Sequence, residues 1–231
     1  MDQIILNDRE TQLAQATFVS KVYAWMGGAL LLTGLVAALT AASPALIETV
    51  IGNRIVFYAL LFGELGLVWF VTARISTLSG VTATFLFLLY SVLNGLTFSV
   101  IFLIYTASSI GSTFFITAAT FGVMSLYGYT TKRDLTSMGN LLFMALIGLV
   151  IASLVNLFLD NTVLYWITTY AGVLIFVGLT AWDTQKIKQM GLADFGTAEN
   201  MQKGALMGAL SLYLDFINLF LFLLRLFGRR K

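Results

Sequence analysis

The sequence predicts an all-α integral membrane protein, a bundle of seven transmembrane helices. Three observations carry the prediction. Of 231 residues, 59% are hydrophobic and only 10% charged, whereas a soluble domain carries about 25% charged residues. The mean hydropathy is +0.91, so lipid must be the main solvent for this surface. The apolar residues also fall in long runs such as LLFMALIGLVIASLVNLFL, without the alternation at every second position that a membrane β-barrel needs.

A helix needs roughly 20 apolar residues to cross a bilayer, and charge-free stretches place the spans. The first runs from Lys21 to Ala42 and stops before Ser43-Pro44, the only proline. The second covers Arg54 to Arg74 and contains one acid, Glu64. No charge occurs from 75 to 131, so this stretch holds two spans, divided at the polar segment Thr106 to Ser112. Lys132-Arg133-Asp134 closes the fourth. The fifth covers Met138 to Leu159, with a break at Asp160-Asn161. The sixth ends at Trp182 and the seventh runs from Gly204 to Phe227. The expected organisation is a polar cytoplasmic segment over 1–20, a helical domain over 21–227 and a basic tail over 228–231.

Several functions are excluded. Cysteine and histidine are absent, which removes thiolate chemistry, haem and zinc sites, and the side chain that usually titrates near neutrality. The net charge of +2 offers nothing to nucleic acid. The start of the chain lacks the basic start and apolar core of a cleaved signal peptide. Basic residues serve instead as topology signals. With the N-terminus cytoplasmic and seven crossings, eight basic residues lie inside (Arg9, Lys21, Arg74, Lys132, Arg133, Lys186, Lys188 and Lys203) and five outside. A re-entrant last segment would return the basic tail to the inside and give twelve against one. The 19 apolar-rich residues LMGALSLYLDFINLFLFLL are nevertheless long enough to cross.

Ionisable groups within the bilayer need a reason, because an aspartate at the helix centre costs about 2.5–3.5 kcal/mol on insertion scales. Asp215 lies 11 residues after Gly204, roughly 16 Å at 1.5 Å per residue, near mid-membrane. Gly204, Gly208, Ser211, Asp215 and Asn218 share one helical face as a small and polar seam, opposite Leu206, Leu210, Leu214, Ile217, Leu221 and Leu224. Such a seam faces the bundle. The glycines alone require only close packing, whereas packing does not account for a carboxylate. Asp183 is placed at the end of the sixth span, where inert interfacial aspartates are common. Arg74 is placed at the cytoplasmic end of the second, where it can snorkel to headgroups. Glu64 is read as a pathway residue or the partner of an arginine. Asn94, Asn156 and Asn218 are expected to make interhelical hydrogen bonds rather than bind ligands.

SLYLDFINLFLFLLRLFG at 211–228 and AWDTQKIK at 181–188 resemble the last and sixth helices of the transmembrane Bax inhibitor motif family, in a prokaryotic form with short loops. The resemblance covers most of the chain from the first span onward. It implies that the last helix is central, surrounded by the other six. It further implies a pH-sensitive calcium leak in the bacterial inner membrane. By motif, Asp183 and Asp215 would be the pH sensor and gate, with calcium passing or bound at both, and Arg74 the latch. Glu64 and Asn218 would support the pathway. Trp182 stands where family members often have tyrosine, and the loop GLADFGTAEN at 191–200 is longer than in some relatives. Two carboxylates sharing a buried site cannot both ionise cheaply and titrate as a unit, and oxygen ligands suit a hard cation such as Ca²⁺.

The resemblance leaves a second role open, as a non-transporting partner of membrane proteases or stress and cell-death pathways. An enzyme is not expected. An intramembrane aspartyl protease also uses two aspartates, but its second site is typically Gly-x-Gly-Asp, and Leu212-Tyr213-Leu214 precedes Asp215 here. Beyond Ca²⁺, no cofactor is implied.

Overall fold

The computed structural model describes residues 2–193 and 195–231, with side chains from Thr11 onward. It contains α1 (Asp2–Ala42), α2 (Pro44–Ile47), a π-helical turn (Glu48–Gly52), α3 (Arg54–Arg74), α4 (Gly80–Ile104), α5 (Ala107–Thr130), α6 (Thr136–Leu159), α7 (Thr162–Met190) and α8 (Ala198–Phe227). Among the described residues, seven helices are long and apolar enough to cross a membrane. The polar segment expected over 1–20 is helical from Asp2 and continuous with the first span. Arg9, used above as a topology signal, has a side chain outside the described set.

Local chemistry sets the breaks. Ser43 Oγ accepts from Leu46 N and Pro44 opens α2, where its missing N–H costs nothing. Asn53 Oδ1 accepts from Ile55 N and Val56 N at the start of α3. Asp160 closes α6 in the left-handed region with φ 46°, and Asn161 Oδ1 accepts from Leu164 N. The uncharged stretch divides at Tyr105-Thr106, so Ser108–Ser112 lie in the first turns of α5 rather than in a loop. Small hydroxyl residues tolerate that position because the first N–H groups of a helix need side-chain acceptors.

Two boundaries differ more. The sixth span was placed up to Trp182, but α7 runs eight residues further, to Met190. The seventh was started at Gly204, but α8 begins at Ala198. Loss of apolar sequence marks the membrane surface, whereas backbone hydrogen bonding lets a helix continue into water. Asp183 is therefore inside α7, two turns before its end.

The chain divides into two compact units: 1–106, 190–213 and 230–231 form one, and 107–189 and 214–229 the other. In the first, α4 packs along α1 and α3. Phe87 and Tyr90 of α4 meet the Tyr213 ring edge-on, with centroids 6.4 and 5.8 Å away. In the second, Leu149 of α6, Ile175, Phe176 and Leu179 of α7, and Leu219, Phe222 and Leu223 of α8 form a buried cluster. Phe114 and Phe121 of α5 pack on Phe216. α8 is the most enclosed helix: 72% of its apolar window is buried, against 6% for α6.

Within the first unit, α8 and its tail are tied to both ends of α4. At one end Glu199 Oε1 accepts from Gly80 N at 2.8 Å, and Gln202 Nε2 donates to Thr84 Oγ1 at 2.9 Å. At the other, Lys231 N donates to Ile104 O at 2.9 Å, Lys231 Nζ to Phe102 O at 2.7 Å, and Arg230 pairs with Tyr105. The last helix thus traverses the same thickness as α4. A re-entrant segment, which would bring the tail back to its starting side, is inconsistent with these bonds.

Candidate functional site

Asp215 occupies the middle of α8 with 4% of its surface exposed. Flanking Phe216, Ile217 and Leu219 are buried, and they exclude water on that side of the helix. No hydrogen-bond donor among the described residues reaches Asp215 Oδ2. Its acidic neighbour is the half-buried Asp183 carboxyl of α7, close enough for the two to interact electrostatically. A hydrogen bond between two carboxyl groups requires a proton on one of them. Asp183 and Asp215 are thus neighbours within the second unit.

The expected seam is only partly right. Gly208 and Asp215 of the seam are buried and Gly204, Ser211 and Asn218 half-buried, whereas on the opposite face Leu206, Leu210, Ile217 and Leu224 are buried and Leu214 and Leu221 half-buried. An enclosed helix has no lipid-facing back, and periodicity that assumes one misplaces the burial. Close packing does hold at Gly204, where an added Cβ would lie 2.7 Å from the Phe195 ring.

The turn bearing Asp183 is held from several sides. The Ala181 carbonyl lies against Gly128 of α5, and the Trp182 ring against Gly139 of α6, each where a Cβ would have to be. Lys186 Nζ sits 5.3 Å from the Trp182 ring centroid and acts electrostatically on Asp183. Gln185 bonds the α5–α6 loop with both ends of its amide: Oε1 accepts from Leu135 N at 2.8 Å and Nε2 donates to Arg133 O at 2.7 Å. Sequence reasoning missed Gln185, Gly128 and Gly139. Gln185 carried a signal, since an uncharged polar residue within AWDTQKIK needs a partner once the helix is known to continue. The two glycines carried none, because their role depends on which helix they meet.

The remaining candidates lie apart. Arg74 ends α3 in the first unit and is exposed. The fold uses its carbonyl, which accepts from Thr77 N, Thr77 Oγ1 and Leu78 N. Glu64 is buried in the same unit and accepts from Thr97 Oγ1, so its partner there is a hydroxyl and not an arginine. Nearby in that unit, Tyr213 and Thr33 share a hydroxyl hydrogen bond of 2.8 Å, and Thr33 Oγ1 also donates to Ser91 O. The asparagines differ from expectation. Asn94 and Asn218 donate to Tyr90 O and Leu214 O, four residues back in their own helices, and Asn156 Oδ1 accepts from Asn161 N. The preceding turn's carbonyl is within reach of a short amide without any partner helix.

No cluster of three acidic or other metal-ligating side chains occurs among the described residues. Two carboxyls supply four oxygens, whereas Ca²⁺ takes about six to eight. The donor set does not fit a resident calcium ion.

The family described as "Inhibitor of apoptosis-promoting Bax1" matches residues 15–231. An Escherichia coli protein called "Inner membrane protein YbhL" is 55% identical over 216 residues, covering 93% of this chain and 92% of its own. An uncharacterized Rickettsia prowazekii protein is 48% identical over 214 residues, covering 93% and 90%. A Borreliella burgdorferi protein, also uncharacterized, is 43% identical over 227 residues, covering 98% of each. Seven apolar helices together with these bacterial relatives support a multi-pass protein of a bacterial inner membrane.

Proposed function

Because the chain belongs to the Bax1-inhibitor family, we propose that it is a pH-sensitive calcium leak, gated by the Asp183–Asp215 pair. The observation that carries this reading is the contact of two carboxyls from neighbouring helices in an enclosed site where Asp215 Oδ2 finds no donor. With one proton between them, the carboxyls tie α7 to α8. With none, their repulsion favours separation, and a hydrated divalent cation can take the proton's place. Calcium enters as the transported substrate. Arg74 is assigned the latch by resemblance, and Glu64 and Asn218 supporting roles by their positions, mid-span in α3 and one turn from Asp215.

Calcium flux in proteoliposomes across pH tests the reading. Asp183→Asn and Asp215→Asn should each flatten the pH response. Unchanged flux and pH response in both variants would overturn the gate. The family's printed description keeps a second reading in view, a membrane protein that acts through a protein partner without transport. Absence of flux in liposomes, combined with a membrane protein that co-purifies stoichiometrically, would favour it.

A further inference from the structure

We propose that Gln185 is a positioning residue for the carboxyl pair, holding the Asp183 turn against Asp215 by tying it to the α5–α6 loop. The inference rests on the gate proposed above. Gln185 follows Asp183 by two residues, is 7% exposed, and spends both amide groups on one loop. Leu135 N and Arg133 O lie between α5 and α6, where helical hydrogen bonding does not satisfy them. Glutamine alone among side chains of this length offers a donor and an acceptor together. Lys188, one turn on, repeats the tie by donating to Tyr129 O at 2.8 Å with its ammonium 5.0 Å from the Tyr129 ring. Ala181 against Gly128 and Trp182 against Gly139 leave the turn no slack on the α5 and α6 sides. On the α8 side, its polar contact is the carboxyl pair itself. Displacement of the loop therefore carries Asp183 with it.

Every element around the turn contributes its groups to the local field. α8 brings Asp215, α7 brings Lys186 and Lys188, and α5 brings the Tyr129 phenol. The loop carries Lys132, Arg133 and Asp134, and α6 meets the turn through Gly139, which has nothing to titrate. Hydrogen bonds from Thr136 hold the Asp134 carboxyl below its usual range. None of these charges is altered by changing Gln185 to a neutral residue, so a pH effect of that change reports position.

The test is Gln185→Leu in the full-length protein, read in two ways. One is the infrared carbonyl band of the protonated carboxyl pair titrated against pH, assigned with Asp215→Asn. The other is the pH midpoint of calcium flux in liposomes. The band midpoint should move by about one pH unit, tenfold in proton affinity, and the flux midpoint should move in the same direction. A folded Gln185→Leu with an unmoved band midpoint overturns the proposal. If that variant does not fold, Gln185→Asn, which stays neutral and keeps the amide but is one methylene too short to reach both Leu135 N and Arg133 O, is read in the same way. Its band midpoint should move as well, and an unmoved one overturns the proposal. Absence of flux from the wild type would defeat the leak while the infrared titration still decides the role of Gln185.

Discussion

The ring of Trp182 occupies the space that a Cβ on Gly139 would need, so α6 and α7 approach there at a distance only glycine permits. Gly139→Ala should destabilise the protein by about 1–3 kcal/mol, the usual cost of overpacking a filled interior. Gly148, on the same helix, has nothing within 4 Å of the corresponding position. Gly148→Ala should be neutral or stabilising, since alanine is favoured over glycine in a helix by about 1 kcal/mol. Thermal unfolding of the two variants in detergent compares them directly, and equal losses would refute the contact.

Tyr213 is fully buried and hydrogen-bonded to Thr33. Tyr213→Phe keeps the ring packing with Phe87 and Tyr90 and removes only the hydroxyl, so it should cost about 0.5–1.5 kcal/mol. Tyr213→Ala also empties the site and should cost about 3–5 kcal/mol, as other large aromatic truncations do. Denaturation of the pair in one detergent measures the ratio. A phenylalanine variant as damaged as the alanine variant would mean that the hydroxyl, not the ring, holds this part of the fold.

Absence of native cysteine makes single-cysteine labelling clean. The bonds from the tail to the end of α4 place Lys231 and Tyr105 on one side of the membrane, and the Glu199–Gly80 bond places Ser79 and Asn200 on the other. Cysteines at 231 and at the exposed position 104 should react together with an impermeant thiol reagent, and cysteines at 79 and 200 only from the opposite face. Labelling of 231 together with 200 would restore the re-entrant topology.

Asp134 is exposed, and its carboxyl is held low by Thr136, including the 2.9 Å bond from Thr136 N to Oδ1. A depressed acid adds stability that is present above its unfolded pKa, about 3.9, and is lost as pH falls through the lower folded value. At neutral pH the group is therefore already ionised. Asp134→Asn should leave the pH response of flux between about 6 and 8 unchanged, because that range lies above an ordinary carboxylate's titration. Liposome flux measures it, and a shifted midpoint would move part of the sensor into the loop.

The spans were readable because hydrocarbon imposes one rule on every residue it touches: long apolar runs delimit α3, α4, α5, α6 and the core of α8, with Glu64 and Asp215 the single acids inside α3 and that core. The ends of α7 and α8 were not, because a helix that leaves the membrane obeys capping and not hydropathy. Asp215 was legible by its position in an otherwise apolar helix. Asp183 became legible only by resemblance, since hydropathy placed it at a helix end that proved to lie at Met190. Gly128 and Gly139 were silent for a different reason. A glycine's meaning here is the partner backbone or ring above it, and no pattern within one helix names that partner. The same holds for the three asparagines, which have two outlets of similar energy, a neighbouring helix or the carbonyl one turn back.

The anchoring of α8 to α4 at both ends restricts the way Asp215 can move. Sliding along the helix axis would break the bonds to Gly80 and Thr84 at one end while those to Ile104 and Phe102 strain at the other. A rod pinned at both extremities keeps two freedoms, rotation about its own length and bowing at the centre. Asp215 sits close to the middle of α8, so on the proposed gate a small lateral flexure there would part the carboxyls without uprooting either end.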